Sequence, residues 1–208
     1  MSVPAAHFEN AERQRQAAEL GMWVFLATEL MFFGPLFLGY AYGRWSFPAG
    51  FAAASRHTDV LLGTINTAVL LTSSVFVALG VRAARLDQPR STRLFLLCAA
   101  ALGVVFLALK GLEYDHEWLE HLVPWEDFRF EAPHQRAAAF FYFLYFGMTG
   151  LHAVHLTIGI VVMGVLALRA CSLAESRNQI EMGALYWHFV DAVWVVLYPI
   201  LYLVERHG

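Results

Sequence analysis

The segment that decides the fold is the last apolar run, Glu181-Met-Gly-Ala-Leu-Tyr-Trp-His-Phe-Val-Asp-Ala-Val-Trp-Val-Val-Leu-Tyr-Pro-Ile-Leu-Tyr202. It is long enough to cross a bilayer as a helix, because about 20 apolar residues span the hydrocarbon core. It nevertheless contains His188 and Asp191, and an ionisable side chain in hydrocarbon costs at least about 2.5 kcal/mol. On a helix, one stripe collects Trp187, Asp191, Trp194, Tyr198 and Tyr202. The pattern therefore predicts a membrane-spanning helix whose polar stripe faces other helices rather than lipid.

The composition of the whole chain is typical of an integral membrane protein. Its 208 residues are 59% hydrophobic, with a mean hydropathy of +0.52, which argues against a soluble protein of this length. The net charge of -3 indicates little about partners, because the division of charge between the two membrane sides matters more. Cys98 and Cys171 lack metal-ligand spacing, so we interpret both as buried thiols. The polar start of the chain lacks the features of a signal peptide, and we expect the first apolar run to be retained.

Five apolar segments predict an all-α polytopic membrane protein, a bundle of five transmembrane helices. They cover residues 20 to 43, 59 to 84, 92 to 113, 137 to 169 and 179 to 204. We expect a single membrane domain over residues 1 to 208, with residues 1 to 19 as a surface segment and 20 to 208 as the bundle. Pro35 and Pro199 lie inside two of the helices, which membrane bundles tolerate through local kinks.

Arginine residues are divided unequally between the two sides of this bundle. The N-terminal side carries Arg13, Arg15, Arg82, Arg85, Arg90, Arg93, Arg169 and Arg177, and the other side carries Arg44, Arg56, Arg129, Arg136 and Arg206. Because cytoplasmic loops are enriched in basic residues, this division predicts a cytoplasmic N-terminus and an external C-terminus.

The longest predicted loop, residues 114 to 136, would then be external. It is acidic, with Asp115, Glu117, Glu120, Glu126, Asp127 and Glu131. A solvated interfacial loop is the preferred interpretation, and attraction of a basic partner such as a cytochrome is the alternative.

Ionisable residues inside the spans are candidates for function by default. Glu29 lies among Leu, Met and Phe, where loss of hydration favours a neutral, hydrogen-bonded carboxyl group. It could belong to a proton path or be a structural group satisfied by a neighbouring helix. Asn66 suits hydrogen bonding between helices. Lys110 and Glu113, three residues apart, predict an ion pair at the outer interface without a catalytic role.

The sharpest candidate for chemistry is the pair His152 and His155, because imidazoles about one turn apart can ligate a metal or a haem iron. Glu29, His188 and Asp191 lie at depths that would let them converge with these histidines. However, the spans lack the Glu-x-x-His signature of di-iron bundles, and the first three helices contain no mid-membrane histidine for a haem pair. We therefore interpret the polar residues inside the spans as an intramembrane polar seam, and not as a catalytic or metal site. The residues of this seam are Asn66, His152, His155, His188 and Asp191.

Together these motifs resemble subunit III of the haem-copper cytochrome c oxidases. Tyr186-Trp-His-Phe-Val-Asp-Ala-Val-Trp194 with Tyr198 is similar to the last helix of that family, and Thr149-Gly-Leu-His-Ala-Val-His155 with Gly159 is similar to the penultimate one. Matches to earlier helices are Gly21-Met-Trp with Thr28-Glu-Leu-Met-Phe-Phe33, Asn66-Thr-Ala-Val-Leu-Leu71 and Glu113-Tyr114. The resemblance covers nearly the whole chain and points to a short, five-helix bacterial form. The first two of the seven helices of longer members, which help to form a lipid-filled cleft, have no counterpart.

The resemblance implies an accessory, non-redox subunit of an oxidase that reduces oxygen and translocates protons. It implies no cofactor in this chain, with haem and copper held in partner subunits. The expected partners are subunit I by direct packing, subunit II and the other oxidase subunits, membrane lipids including bound phospholipid, and a cytochrome c at the external face, with no nucleic acid. The expected location is the bacterial cytoplasmic (inner) membrane, crossed several times.

By the same resemblance, Glu29 matches the family's buried carboxylate, which is associated with proton uptake and with reaction by carbodiimides. The family also implies stabilisation of subunit I, sustained turnover and a lipid-lined route for oxygen.

Alternatives to this function stay open. An equivalent subunit of a quinol oxidase or of a nitric oxide reductase would share these motifs, although the segment from Thr28 to Phe33 favours the cytochrome c branch. A free-standing membrane metalloenzyme would use Glu29, His152, His155, His188 and Asp191, and a proton-coupled transporter would act without subunit I. The sequence does not name the electron donor.

Overall fold

A computed structural model of the chain describes residues 11–124, 128–130, 133–170 and 173–203. Over these residues the chain is almost entirely helical. The helices are α1 (Ala11–Ser46), α2 (Pro48–His57), α3 (Val60–Arg85), α4 (Pro89–Leu119), α5 (Gln135–Arg169) and α6 (Leu173–Tyr198), followed by a π-helical turn at Pro199–Leu203. Five of them are long and apolar enough to cross a membrane. The prediction of an all-α polytopic membrane protein with five transmembrane helices is confirmed.

Three details differ from the sequence prediction. Helix α1 begins at Ala11, so residues 11–19 continue the first spanning helix, while residues 1–10 lie outside the described part. Helix α2 was not predicted, because its ten residues are too few to span a membrane. Its alanine content and the proline at its first position explain why it is helical, since both favour a helix there. Cys98 is only half-buried, and Cys171 lies outside the described residues.

The packing of the backbone divides the chain into two compact units. Unit 1 holds the described residues up to Leu30, together with Leu70–Val104 and His155–Asp191. Unit 2 holds Met31–Val69, Val105–Val154 and the described residues from Ala192 onward. Each of the five long helices contributes a part to both units. The single membrane domain stays a prediction.

The core of unit 1 is built around Trp187, which is fully buried. Two glycines make room for its ring, since a Cβ atom would lie 2.9 Å from the ring at Gly103 and 3.2 Å from it at Gly159. The indole Nε1 donates a hydrogen bond to Ser73 Oγ at 3.1 Å. Helices in membranes commonly approach one another closely at small residues. Here the small residues leave room for one large aromatic side chain.

The core of unit 2 is aromatic. Phe51 of α2 packs edge-on against Phe141 of α5, with ring centroids 5.5 Å apart at 89°. Tyr40 donates a hydrogen bond to the carbonyl of Ile200 at 2.6 Å, and Ser55 donates to that of Leu201 at 3.0 Å. These bonds satisfy two backbone carbonyls of the π-helical turn that starts at Pro199.

Replacing Gly50 with Ala is expected to destabilise unit 2. A Cβ atom at Gly50 would lie only 2.3 Å from the Cβ of Ala137, so α2 and α5 would have to move apart. Overpacking of this kind reduces the free energy of unfolding by about 1–3 kcal/mol. Gly111→Ala is the matched control, because no atom lies within 4 Å of its Cβ position. The control should raise stability by up to about 1 kcal/mol. Unfolding of both variants in detergent, followed by circular dichroism, tests this, and equal stabilities would contradict it.

Candidate functional site

Glu29 and His155 form a hydrogen-bonded pair in unit 1. His155 Nε2 lies 2.8 Å from Glu29 Oε2, and the two side chains are only 11% and 18% exposed. The hydroxyl of Tyr186 donates to the backbone carbonyl of His155 at 2.9 Å, which ties α6 to α5 beside the pair. A carboxyl group and an imidazole at this distance share a proton, which either partner can carry. The arrangement is therefore suited to holding and exchanging one proton.

The pair lines a cavity of about 690 Å³ within unit 1. Its walls are mainly apolar, with Phe25 and Ile158 among them, and they also include Arg169. A concave site of this composition suits a ligand with an apolar body and a few polar groups. An acyl chain attached to an anionic group has that chemistry.

A second polar group in unit 1 surrounds Ser74. His188 Nδ1 lies 2.8 Å from Ser74 Oγ. Asp191 is only 4% exposed, and in the part of the chain that the structure describes neither of its carboxylate oxygens has a hydrogen-bond partner. The adjacent Ser73 instead accepts the Trp187 indole N–H. His188 is thus bonded to Ser74 of α3, and Glu29 and His155 are bonded to each other.

In unit 2, Lys110 and Glu113 lie at the centre of a buried cluster. Lys110 Nζ is 3.1 Å from Glu113 Oε2, and both side chains are 3% exposed. The ammonium donates to the hydroxyls of Tyr145 and Tyr202, each at 2.6 Å, and these hydroxyls donate in turn to Glu113 Oε1 at 2.6 and 2.5 Å. The Lys110 ammonium also lies 4.5 Å from the Tyr145 ring centroid. The ion pair that the sequence predicted at the outer interface is therefore buried. The two tyrosine hydroxyls supply the additional hydrogen bonds that a buried ion pair needs.

Glu117 belongs beside this cluster, and the prediction that it lies in a loop is wrong. Helix α4 continues to Leu119, and Glu117, four residues after Glu113, is buried near Lys110. Asp115 and Glu120 are exposed, while Glu126, Asp127 and Glu131 lie outside the described residues. The spacing of three and four between Lys110, Glu113 and Glu117 was the available signal, because it places all three on one helix face.

His152 and Asn66 are fully buried in unit 2. The His152 ring packs against Phe106 and Trp194, with centroid distances of 5.5 and 5.1 Å. Trp194 Nε1 donates to Thr67 Oγ1 at 3.0 Å, next to Asn66 on α3. Across the described ranges, no group of three or more His, Cys, Asp or Glu side chains is placed to hold a metal ion. His152 and His155 therefore have quite different surroundings, one aromatic and one acidic.

These features define a class: a multi-pass helical membrane protein in which several buried ionisable side chains, such as Glu29, His155 and Lys110, bond to residues of neighbouring helices. Comparison with known proteins then gives the family. The family model described as cytochrome c oxidase subunit III matches residues 6–205, and the chain belongs to this family. The resemblance inferred from the sequence is confirmed.

Relatives from distant organisms match most of the chain. Cytochrome c oxidase subunit 3 of Thermostichus vulcanus is 32% identical over 196 residues, which are 90% of this chain and 87% of that protein. The Alkalihalophilus pseudofirmus protein of the same name is 28% identical, over 98% of this chain and 94% of its own length. The Oncorhynchus mykiss protein is 31% identical over 88% of this chain but only 67% of its own length. The match thus covers most of the length of the first two relatives and about two thirds of the third.

Proposed function

We propose that this chain is the accessory, non-redox subunit III of a respiratory haem-copper oxidase that reduces oxygen and translocates protons. The observation that carries the proposal is the family match over residues 6–205. In this role the chain packs directly against subunit I and contacts subunit II and other subunits, which hold the haem and copper. Its own contribution is to stabilise the catalytic subunit and to support proton uptake and oxygen access.

The chemistry of the buried clusters supports an accessory role. The Lys110 ammonium is neutralised by Glu113 and hydrogen-bonded to two tyrosines, and His155 is bonded to Glu29. Such groups hold helices together and can exchange a proton, but they present no activated nucleophile to a substrate. A chain of this kind acts through its partners.

The proposal includes placement in a bacterial cytoplasmic membrane with the N-terminus inside. Five spans support the multi-pass arrangement, and the excess of arginine on the N-terminal side supports the orientation. A bound phospholipid suits the 690 Å³ cavity, because its apolar walls match acyl chains and Arg169 offers a cation to the phosphate. An external cytochrome c is the expected electron donor of the complex.

Purification of the complex through a tag on this chain tests the proposal. We expect a haem-containing subunit I to accompany the chain and the sample to oxidise cytochrome c. Oxidation of quinol or reduction of nitric oxide instead would favour the equivalent subunit of those enzymes. Stoichiometric haem, copper or iron on the isolated chain would overturn the proposal in favour of a metalloenzyme, and proton transport by the chain reconstituted alone would favour a transporter.

Replacing Glu29 with Gln tests its proposed effect on proton uptake. The amide keeps the size and a hydrogen bond to His155 but cannot exchange a proton, so we expect normal assembly with slower proton uptake. The decrease should be up to about tenfold, equivalent to about 1.4 kcal/mol in the limiting step. Proton uptake during turnover is the measurement, and Glu12→Gln, an exposed acid on the same helix, is the control. Unchanged uptake with normal assembly would leave Glu29 a structural residue.

A further inference from the structure

The hydrogen bonds of the buried cluster in unit 2 all lead to one of its two carboxyl groups. Lys110 Nζ donates to the hydroxyls of Tyr145 and Tyr202 and lies 3.1 Å from Glu113 Oε2. A tyrosine has a single O–H to donate, and both of these hydroxyls donate to Glu113 Oε1. The cation and the two hydroxyls are therefore engaged by Glu113.

Glu117 is the second carboxyl group, and it has none of these bonds. It lies on the same face of α4 as Lys110 and Glu113, because residues three and four positions apart share a helix face. Its exposure is only 4%, and within the described part of the chain neither of its carboxylate oxygens has a hydrogen-bond partner. An ionised carboxylate that is buried without donors is so costly that such a group instead becomes neutral.

The turn that ends α4 fixes this position. The N–H of Leu122 donates to the Glu117 carbonyl at 3.0 Å, and the N–H of His121 donates to the Trp118 carbonyl at 3.1 Å. These two bonds form a capping motif that closes the last turn of a helix, with His121 at a positive φ of 56°. Leu122 and Val123 are each 4% exposed, so the chain stays buried directly after this turn.

The balance of charge also favours a neutral Glu117. Lys110 is the only lysine or arginine that is buried among the described side chains, and Glu113 already balances its charge. The exposed Glu120 on the same helix pairs with His116 at 3.2 Å. The other titratable groups around Glu117 are phenols, which are neutral at pH 7: Tyr114, Tyr142, Tyr145 and Tyr202. An ionised Glu117 would therefore add an uncompensated negative charge to the core.

We propose that Glu117 is a proton-binding site of unit 2 and is a carboxylic acid at neutral pH. A proton from water adds to one carboxylate oxygen and cancels its charge, while Lys110 and Glu113 remain an ion pair. A proton suits the site better than a metal ion, because nowhere in the described ranges are three or more His, Cys, Asp or Glu side chains placed to hold one. The site does not depend on the proposed function, and Glu29 lies in the other unit.

Infrared spectroscopy of the complex that contains the full chain tests the proposal. At pH 7 the unmodified protein should show a carboxylic acid band, sensitive to exchange into D₂O, that Glu117→Gln abolishes. Asp115→Asn is the matched control, because Asp115 is an exposed acid on the same helix, and it should leave the band unchanged. A Glu117→Gln spectrum that lacks no such band would overturn the proposal.

The pH dependence of unfolding gives a second measurement on the full chain in detergent. Above about pH 5 an ordinary carboxyl group is ionised in the unfolded chain, so folding with a neutral Glu117 takes up one proton. The unfolding equilibrium constant of the unmodified chain should therefore rise with pH, relative to that of Glu117→Gln, by up to about tenfold per pH unit. Asp115→Asn should follow the unmodified chain.

Two results of the unfolding experiment would contradict a neutral Glu117. One is a constant ratio between the unmodified chain and Glu117→Gln across this pH range. The other is failure of Glu117→Gln to fold, because an uncharged amide of the same size should replace a neutral acid without loss of the fold.

Discussion

Lys110→Met is expected to lower the free energy of unfolding by about 3–5 kcal/mol, enough to prevent accumulation of the folded chain. The substitution removes the cation that faces Glu113 at 3.1 Å and leaves a carboxylate in a site only 3% exposed. It also removes the donor to the hydroxyls of Tyr145 and Tyr202. The amount of folded chain in the membrane and its unfolding in detergent are the measurements.

Two controls separate the loss of the buried pair from the loss of a polar contact in general. His116→Gln breaks a surface pair on the same helix, where His116 Nε2 and Glu120 Oε1 are 3.2 Å apart, and should change stability by less than about 1 kcal/mol. Lys110→Met combined with Glu113→Leu removes both buried charges and should recover part of the loss. If Lys110→Met alone were as stable as His116→Gln, the cluster would not hold unit 2 together.

The spanning helices were predictable from sequence because each is a long apolar run that no soluble pattern imitates. The ends of these helices were not predictable, because residues that favour a helix continue past the apolar stretch. Helix α1 therefore extends back to Ala11, and α4 continues to Leu119, which carries Glu117 into the core. The short helix α2 was missed because a ten-residue segment between two spans has no membrane signature of its own.

The sequence was enough to predict that certain buried side chains require partners, but not which residues those partners are. Sequence indicates that Glu29, His155 and Asp191 require partners, because their cost in an apolar environment is known. It does not indicate that Glu29 binds His155 across 126 residues of chain. Nor does it single out Ser74 from the other hydroxyl residues of its helix. The Lys110 and Glu113 pair could be inferred from local sequence, because its members are one turn apart.

Trp187→Ala is expected to lower the free energy of unfolding by about 3–5 kcal/mol, the range for deleting a buried aromatic side chain. Trp187 is fully buried, and the glycines at 103 and 159 leave space for its ring. The indole N–H to Ser73 is lost as well. Trp187→Phe keeps most of the ring but not this donor, so it should lose only about 1–3 kcal/mol.

Trp45→Ala is the control for removing a tryptophan, because Trp45 is 89% exposed. It should change the stability of the chain by about 0.5 kcal/mol or less. Unfolding of all three variants in the same detergent gives the comparison. If the core of unit 1 is packed around the Trp187 ring, Trp45→Ala should be the most stable of the three variants. Trp187→Phe should be intermediate and Trp187→Ala the least stable. A Trp187→Ala variant as stable as Trp45→Ala would mean that the two glycines close over the space, and the packing argument for unit 1 would be wrong.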